Sequence, residues 1–113
     1  MRNSEFIINN ENNTNKSYAY FDHSFSLFNK STFKNCNFEN TNFKESQIFD
    51  CKFINCNMTN ADFRSSNFKN IEIENCNIEG IKIQSSSFEK IKISKIESNN
   101  IKARNTIFKN SLF

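Results

Sequence analysis

The chain has almost none of the residues that usually make turns. Its 113 residues include one glycine, no proline and no tryptophan. Most β-sandwiches and β-barrels reverse direction at glycine and proline. A β-rich fold of this sequence must therefore turn by another device.

Long apolar runs and strong net charge are also missing. No run approaches the ~20 apolar residues that cross a bilayer. The start at Met1–Glu5 lacks the charged-then-apolar order of a signal peptide. We therefore expect a cytoplasmic protein with no membrane contact. The formal charge of +3 indicates neither a dedicated nucleic-acid binder nor an acidic DNA mimic.

Residues that carry catalysis are scarce. His23 is the only histidine, and it lies outside the regular repeat described below. No carboxylate pair, nucleophile motif or Gly-rich phosphate loop accompanies it. The sequence therefore predicts no enzyme activity, no catalytic residue and no cofactor.

What the chain does contain is a repeat. The triplet Asn-Cys-Asn occurs three times at intervals of 20 residues, around Cys36, Cys56 and Cys76. Within that spacing, every fifth residue from Phe28 onward is apolar, with Ser98 as the polar exception. The residue two places before each of these is usually small. A fixed period is typical of repeat architectures.

Neither a regular helix nor a flat strand accommodates a period of five. On a helix the apolar residues would drift around the cylinder, and on a strand they would alternate between faces. A chain that bends once per repeat keeps them all inside, and the 20-residue interval then gives four sides per coil. We number the sides in chain order by their central residues: Phe28 on the first, Phe33 on the second, Phe38 on the third and Phe43 on the fourth.

This pattern resembles the pentapeptide-repeat family. Its consensus is a small residue, Asn or Asp, a central Leu or Phe, and two polar residues. The best matches here are Cys36-Asn37-Phe38-Glu39-Asn40, Thr41-Asn42-Phe43-Lys44-Glu45, Ala61-Asp62-Phe63-Arg64-Ser65 and Ser66-Asn67-Phe68-Lys69-Asn70. The resemblance implies an all-β fold, a right-handed quadrilateral β-helix. Residues 26–113 would form about four and a half coils at 20 residues each.

Both ends of the predicted rod need covering. We assign residues 1–25 to an N-terminal capping segment, with a polar loop at 9–15 and with Tyr18, Tyr20 and Phe21 over the open coil. The other end carries the apolar residues Ile107, Phe108, Leu112 and Phe113. One interpretation is a homodimer through this C-terminal coil. The alternative is a frayed or cropped end.

The four cysteines invite a metal or disulfide interpretation. Cys36, Cys56 and Cys76 would stack in one line, with Cys51 on the neighbouring side. A zinc site needs four converging ligands rather than a line, whereas adjacent coils do fall within disulfide reach. We favour small buried thiols and no metal. The recurrent asparagines allow either amide ladders along the rod or corner chemistry, and we prefer the corners.

Charge is sorted between two neighbouring sides. The fourth side carries a predicted basic set, Lys44, Arg64, Lys82, Lys102 and Arg104, against Glu45 and Asp62. The third side of the repeat carries a predicted acidic set, Glu39, Glu79 and Glu97. Phe49 and Ile54 are apolar at outward positions and would add a small contact patch. Adjacent acidic and basic sides suit a protein partner.

Three functions remain open. The leading one is a rigid, non-enzymatic module that binds a protein of unknown identity. The second is implied by the resemblance: some pentapeptide-repeat proteins imitate DNA and bind type II topoisomerases, protecting them from quinolones or toxins. The third is nucleic-acid binding through the fourth side, and the lack of stacking aromatics on that side argues against single-strand binding.

Overall fold

The computed structural model describes residues 7–95 and, as backbone only, the strand at 107–109. These residues form nine β-strands and no helix. The strands are β1 (Ile7–Asn9), β2 (Asn12–Thr14), β3 (Leu27–Asn29), β4 (Thr32–Lys34), β5 (Gln47–Phe49), β6 (Lys52–Ile54), β7 (Asn67–Glu74), β8 (Ser87–Ser94) and β9 (Ile107–Lys109). Every pairing is parallel and joins residues 20 positions apart, as in Ile7 with Leu27.

The pairings separate into the four predicted sides. On the first side β1, β3, β5, β7, β8 and β9 follow one another, and on the second side β2, β4, β6, β7 and β8 do. The strands β7 and β8 are eight residues long and run along both sides. Single bridges join successive coils on the third and fourth sides, as at Asn37–Asn57 and Asn42–Asp62. The predicted all-β quadrilateral β-helix is therefore confirmed.

The corners explain how the chain turns with so little glycine. Every fifth residue from Asn10 to Lys95 has a positive φ, between 52° and 62° at the non-glycine corners and 69° at Gly80. Eight of these eighteen corner residues are asparagine, the side chain that best tolerates the left-handed region after glycine. The asparagine-rich composition thus has a structural cause, as the corner interpretation predicted.

Asparagine has two further uses along the rod. On the third and fourth sides it precedes the central residue, and its side-chain oxygen accepts the amide two residues later, as from Glu39 to Asn37 at 2.9 Å. At the corners some side chains also bond along the rod, as in Asn75 Nδ2 to Asn55 Oδ1 at 2.7 Å. Both open interpretations of the asparagines therefore apply, at different positions.

The central residues fill the interior. In the second coil all four of them, Phe28, Phe33, Phe38 and Phe43, are fully buried. Rings of one column stack nearly parallel, with centroid separations of 5.1 Å for Phe33–Phe53, 4.9 Å for Phe43–Phe63 and 4.5 Å for Phe68–Phe88. The aromatic contacts add to the hydrophobic stabilisation of the core.

The small residues two places before each centre have a polar function as well as a steric one. At six of these positions the hydroxyl or thiol donates to the carbonyl of a central residue 23 positions earlier. Examples are Thr41 Oγ1 to the Tyr18 carbonyl at 2.7 Å and Ser86 Oγ to the Phe63 carbonyl at 2.7 Å. Because these carbonyls face a closed interior, the bonds satisfy acceptors that water does not reach.

The boundary predicted at residue 26 does not appear in the backbone. Residues 7–25 form a complete earlier coil in register with the next, and the predicted loop at 9–15 contains β2. The sequence pattern does not reveal this coil, because the positions that are small in later coils hold Glu11, Lys16 and Phe21 here, and these side chains turn outward. Its centres at positions 13 and 23 hold asparagine and histidine.

Candidate interaction surfaces

The fourth side holds the described members of the predicted basic set, Lys44, Arg64 and Lys82, all half-buried. Three carboxylates share it in the described coils: Asp22, Glu45 and Asp62. One of them, Asp22, belongs to the first coil, which the sequence prediction had placed outside the repeat. The described part of this side is therefore neutral overall. Lys102 and Arg104 lie outside the described residues.

Arg64 is bound to its own side of the rod. Its Nε lies 2.9 Å from Asp62 Oδ1 and its Nη2 lies 2.7 Å from Asp62 Oδ2. Burial raises the pKa of Asp62, but the hydrogen bonds and charge of Arg64 outweigh burial and hold that pKa below its ordinary value. A bidentate pair of this kind fixes the guanidinium. Lys44 and Lys82 are thus the more adaptable cations of the fourth side.

The third side holds Glu39 and Glu79, which are half-buried and lie two coils apart in one column, while Glu97 lies outside the described residues. Lys16 of the first coil also falls on this side, and its Nζ lies 3.0 Å from Asn13 Oδ1. The described third side therefore carries a net charge of −1. The difference in net charge between the third and fourth sides is therefore smaller in the described coils than the sequence predicted.

The cysteines line the interior. Cys36, Cys51, Cys56 and Cys76 are all buried and free of disulfides. Burial raises the pKa of the Cys51 thiol to about 11, and the hydrogen bond with Cys76 together with burial raises that of Cys56. The buried thiols of Cys51 and Cys56 are therefore protonated and unreactive. Among the described residues, no group of His, Cys, Asp and Glu has the arrangement to hold a metal ion.

His23 points into the core of the first coil, at the centre of the fourth side. Its ring stacks on Phe43, with centroids 5.8 Å apart, and meets the edges of Tyr18 and Phe21. Burial lowers the pKa of the imidazole, against a smaller opposing effect of Asp22. This position gives His23 a packing role in an aromatic cluster.

Large apolar side chains are exposed at the beginning of the described rod. Tyr20 is 69% exposed, Phe21 57%, Ile7 60% and Leu27 37%. Of the three residues predicted to cover the first coil, Tyr18 alone is buried. Sequence reasoning missed Tyr20 and Phe21 as an exposed surface. The outward position of Tyr20 follows once the five-residue period is extended to residue 7, whereas Phe21 stands at a small position that the period alone would turn inward. The predicted patch residues Phe49 and Ile54 are half-buried.

Only two of the four residues of the predicted dimer end lie within the described part of the chain. Ile107 and Phe108 belong to β9, which adds a further strand to the first side next to β8. Leu112 and Phe113 lie outside the described residues. Throughout the described part of the chain, no helix has the length and apolar character needed to cross a bilayer.

The comparisons agree with this architecture. Residues 26–112 match the family described as pentapeptide repeat region. Two trypsin-treated variants of QnrB1, a plasmid-mediated fluoroquinolone resistance protein, have similar structures. One is 19% identical, with 95% of this chain and 71% of that chain covered and a TM-score of 0.66. The other is 18% identical, with 93% of this chain and 70% of that chain covered and a TM-score of 0.50. No curated protein matches the sequence.

At these identities the structural likeness concerns the fold alone, whereas the family match covers most of the chain. The chain belongs to the pentapeptide repeat proteins.

Proposed function

We propose that this protein is a non-enzymatic module that binds another protein through the outer sides of its β-helix. The observation that supports this most directly is the closed interior. The aromatic columns leave the core filled, so the functional groups of the described coils are those that project outward. Successive coils repeat each outward position, which gives a rigid surface that needs little ordering when a partner binds.

The third and fourth sides are the proposed binding surface. Lys44 and Lys82 lie on the fourth side, and Glu39 and Glu79 lie on the third, around a common corner. Charges of both signs held at fixed spacing favour selective protein binding and fast association. The near neutrality of the described fourth side argues against binding dominated by phosphate contacts, which requires several uncompensated cations.

Affinity capture from host lysate tests this proposal. The bait is the full chain, with nuclease-treated and untreated lysate, at low and moderate salt. The charge-reversal variant is Lys44→Glu/Lys82→Glu. The matched control is Lys34→Glu/Lys69→Glu, which changes the net charge equally at exposed lysines on the second and first sides.

We expect a protein that survives nuclease treatment and is captured by the wild type and the control but not by the charge-reversal variant. Capture of nucleic acid alone, released by modest salt, would replace this proposal with nucleic-acid binding. The same preparations show by light scattering whether the chain forms the homodimer that we propose through its C-terminal coil.

Binding of a type II topoisomerase is the second candidate. It is favoured by the likeness of the fold to QnrB1, whose description as a fluoroquinolone resistance protein concerns drugs that poison such enzymes. The test is a DNA-supercoiling assay with purified gyrase, with and without a quinolone. Restoration of supercoiling in the presence of drug would support this candidate, and no effect at a large excess of the chain would exclude it.

A further inference from the structure

All four large apolar side chains that are well exposed in the described residues lie between Ile7 and Leu27. Three aromatic residues of the first coil, Tyr20, Phe21 and Phe25, border the fourth side of that coil, and we call them the aromatic band. Tyr20 and Phe21 form the corner with the third side, while Phe25, half-buried, forms the corner with the first. Solvated aromatic surface of this kind marks sites of interaction.

The aromatic band is confined to the first coil. In the column of Tyr20 the later coils carry Asn40, Asn60 and Gly80, and in the column of Phe25 they carry Glu45, Ser65 and Ser85. The repeat therefore accepts small or polar residues at both corners. At the Tyr20 corner, where the side chain is 69% exposed, nothing in the packing of the rod requires an aromatic residue.

Both corner aromatics occupy an unfavourable backbone conformation. The φ angles are 62° at Tyr20 and 61° at Phe25, in the left-handed region that bulky residues rarely adopt. Asparagine or glycine would relieve part of a cost of about 1 kcal/mol per residue. Tyr20, which is both strained and 69% exposed, gains nothing for the fold, which points to a function outside it.

The band is held firmly in position. Tyr20 N donates to the Glu39 carbonyl and Phe25 N donates to the Lys44 carbonyl, both at 2.9 Å. The Phe21 ring meets the edge of His23, with centroids 5.7 Å apart. The backbone that carries the rings is therefore fixed to the second coil.

The charges around the band are mainly negative. Asp22 is exposed between the two aromatic corners, and its Oδ1 accepts hydrogen bonds from the amide and hydroxyl of Ser24 at 3.0 and 2.8 Å. Glu39 and Glu45 lie one coil further along, against Lys44. Aromatic faces beside carboxylates complement guanidinium groups, which stack on rings and pair with carboxylates. The band gives the fourth side exposed aromatic rings, where the repeat read from the sequence had none, but the carboxylates beside these rings disfavour phosphate-bearing partners.

We propose that the aromatic band docks a segment of a partner protein that carries arginine beside apolar side chains. This inference rests on the proposed function and specifies the surface and the partner chemistry. Arginine would lie over the exposed rings near Asp22, and the apolar side chains would cover Leu27 and Ile7 around the next corner.

Fluorescence anisotropy with short labelled peptides tests the band directly. The probes alternate arginine with leucine, or glutamate with leucine. The band variant is Tyr20→Asn/Phe25→Ser, which installs residues that the chain itself uses in those columns. The control is Ser85→Asn, at an equivalent corner with φ 59° far from the band.

We expect the wild type and the control to bind the arginine peptide at least about tenfold more tightly than the band variant does. Urea unfolding of the band variant and of the wild type, measured on the same preparations, separates loss of binding from loss of fold. Equal binding by the band variant, or equal affinity for the glutamate peptide, would overturn the inference.

The lysate capture separates the two proposals. A partner lost with Lys44→Glu/Lys82→Glu but retained by the band variant would refute docking at the band and leave the proposed function standing. A partner lost with the band variant would support docking at the band. Absence of any protein partner for every variant would refute the proposed function.

Discussion

Asn13 is the most informative place to perturb the core. It occupies the centre of the second side in the first coil, in register with Phe33, and is 1% exposed. Its Oδ1 accepts a hydrogen bond from Lys16 Nζ at 3.0 Å, while its Nδ2 has no partner. We predict that Asn13→Leu stabilises the protein, because leucine has nearly the same branching and no polar atom to satisfy.

The size of the effect follows from these contacts. A buried amide donor without a partner costs about 1–3 kcal/mol, and leucine adds apolar burial worth about 1 kcal/mol over asparagine. Against this stands the bond from Lys16, which is exposed and contributes about 0.5 kcal/mol. The net expectation is a gain of about 2 kcal/mol in the free energy of unfolding.

The chain supplies its own local probe. It has no tryptophan, and its two tyrosines, Tyr18 and Tyr20, both belong to the first coil. Urea unfolding followed by tyrosine fluorescence therefore reports on this coil, and far-ultraviolet circular dichroism reports on the whole rod. The Asn13→Leu midpoint should rise by fluorescence at least as much as by dichroism.

The matched control is Asn12→Leu, which changes the same residue type one position earlier on the outside of β2. Its effect should stay within about 0.5 kcal/mol. A loss of stability in Asn13→Leu, or equal shifts in the two variants, would contradict the assignment of Asn13 as an incompletely satisfied core residue.

Three further outcomes test the corners, the small positions and the first coil. Gly80→Ala should cost about 2 kcal/mol in the free energy of unfolding, because its Cβ would lie 2.1 Å from Asn60 Oδ1 at a φ of 69°; in an Asn60→Gly background about half of this loss should remain, and an unchanged loss would contradict the clash. Thr41→Val should cost about 1 kcal/mol by removing the donor to the Tyr18 carbonyl, measured by urea unfolding, and a neutral result would refute that function of the hydroxyl. Burial lowers the folded-state pKa of His23, so the unfolded state binds the proton more readily; stability should be complete above about pH 6.5 and fall as the pH decreases below it. Tyrosine-detected unfolding of His23→Phe should lack this decline, and a similar decline would assign it to other groups.

The sequence predicted the architecture well because the fold is periodic. A central apolar residue every five positions and Asn-Cys-Asn every 20 define the coil, and the small residues at positions such as Thr41 confirm which side faces inward. The end of the periodic pattern was less informative. Glu11, Lys16 and Phe21 break it in sequence but not in backbone, because side chains at the end of a rod can turn outward without changing the main-chain ladder.

The surface was harder to predict for a related physical reason. Backbone bonds between coils and a filled core determine the rod, and outward side chains contribute little to either. Their identities are therefore nearly independent of the fold, and charge sorting read from the repeat alone omitted Asp22 and the pairing of Arg64 with Asp62.

An outward residue becomes informative when it acts against the fold. Lysine or serine at an outward position is compatible with the β-helix whether or not a partner exists. Such residues therefore do not distinguish a binding side from a solvated one. Tyr20 does distinguish them, because it stands where later coils use asparagine or glycine and it exposes an aromatic ring. In a solenoid whose repeats share one backbone, comparison of each outward residue with the others in its column therefore shows which side chains the fold itself favours. By that criterion the aromatic band is a better guide to the partner than the charges of the third and fourth sides.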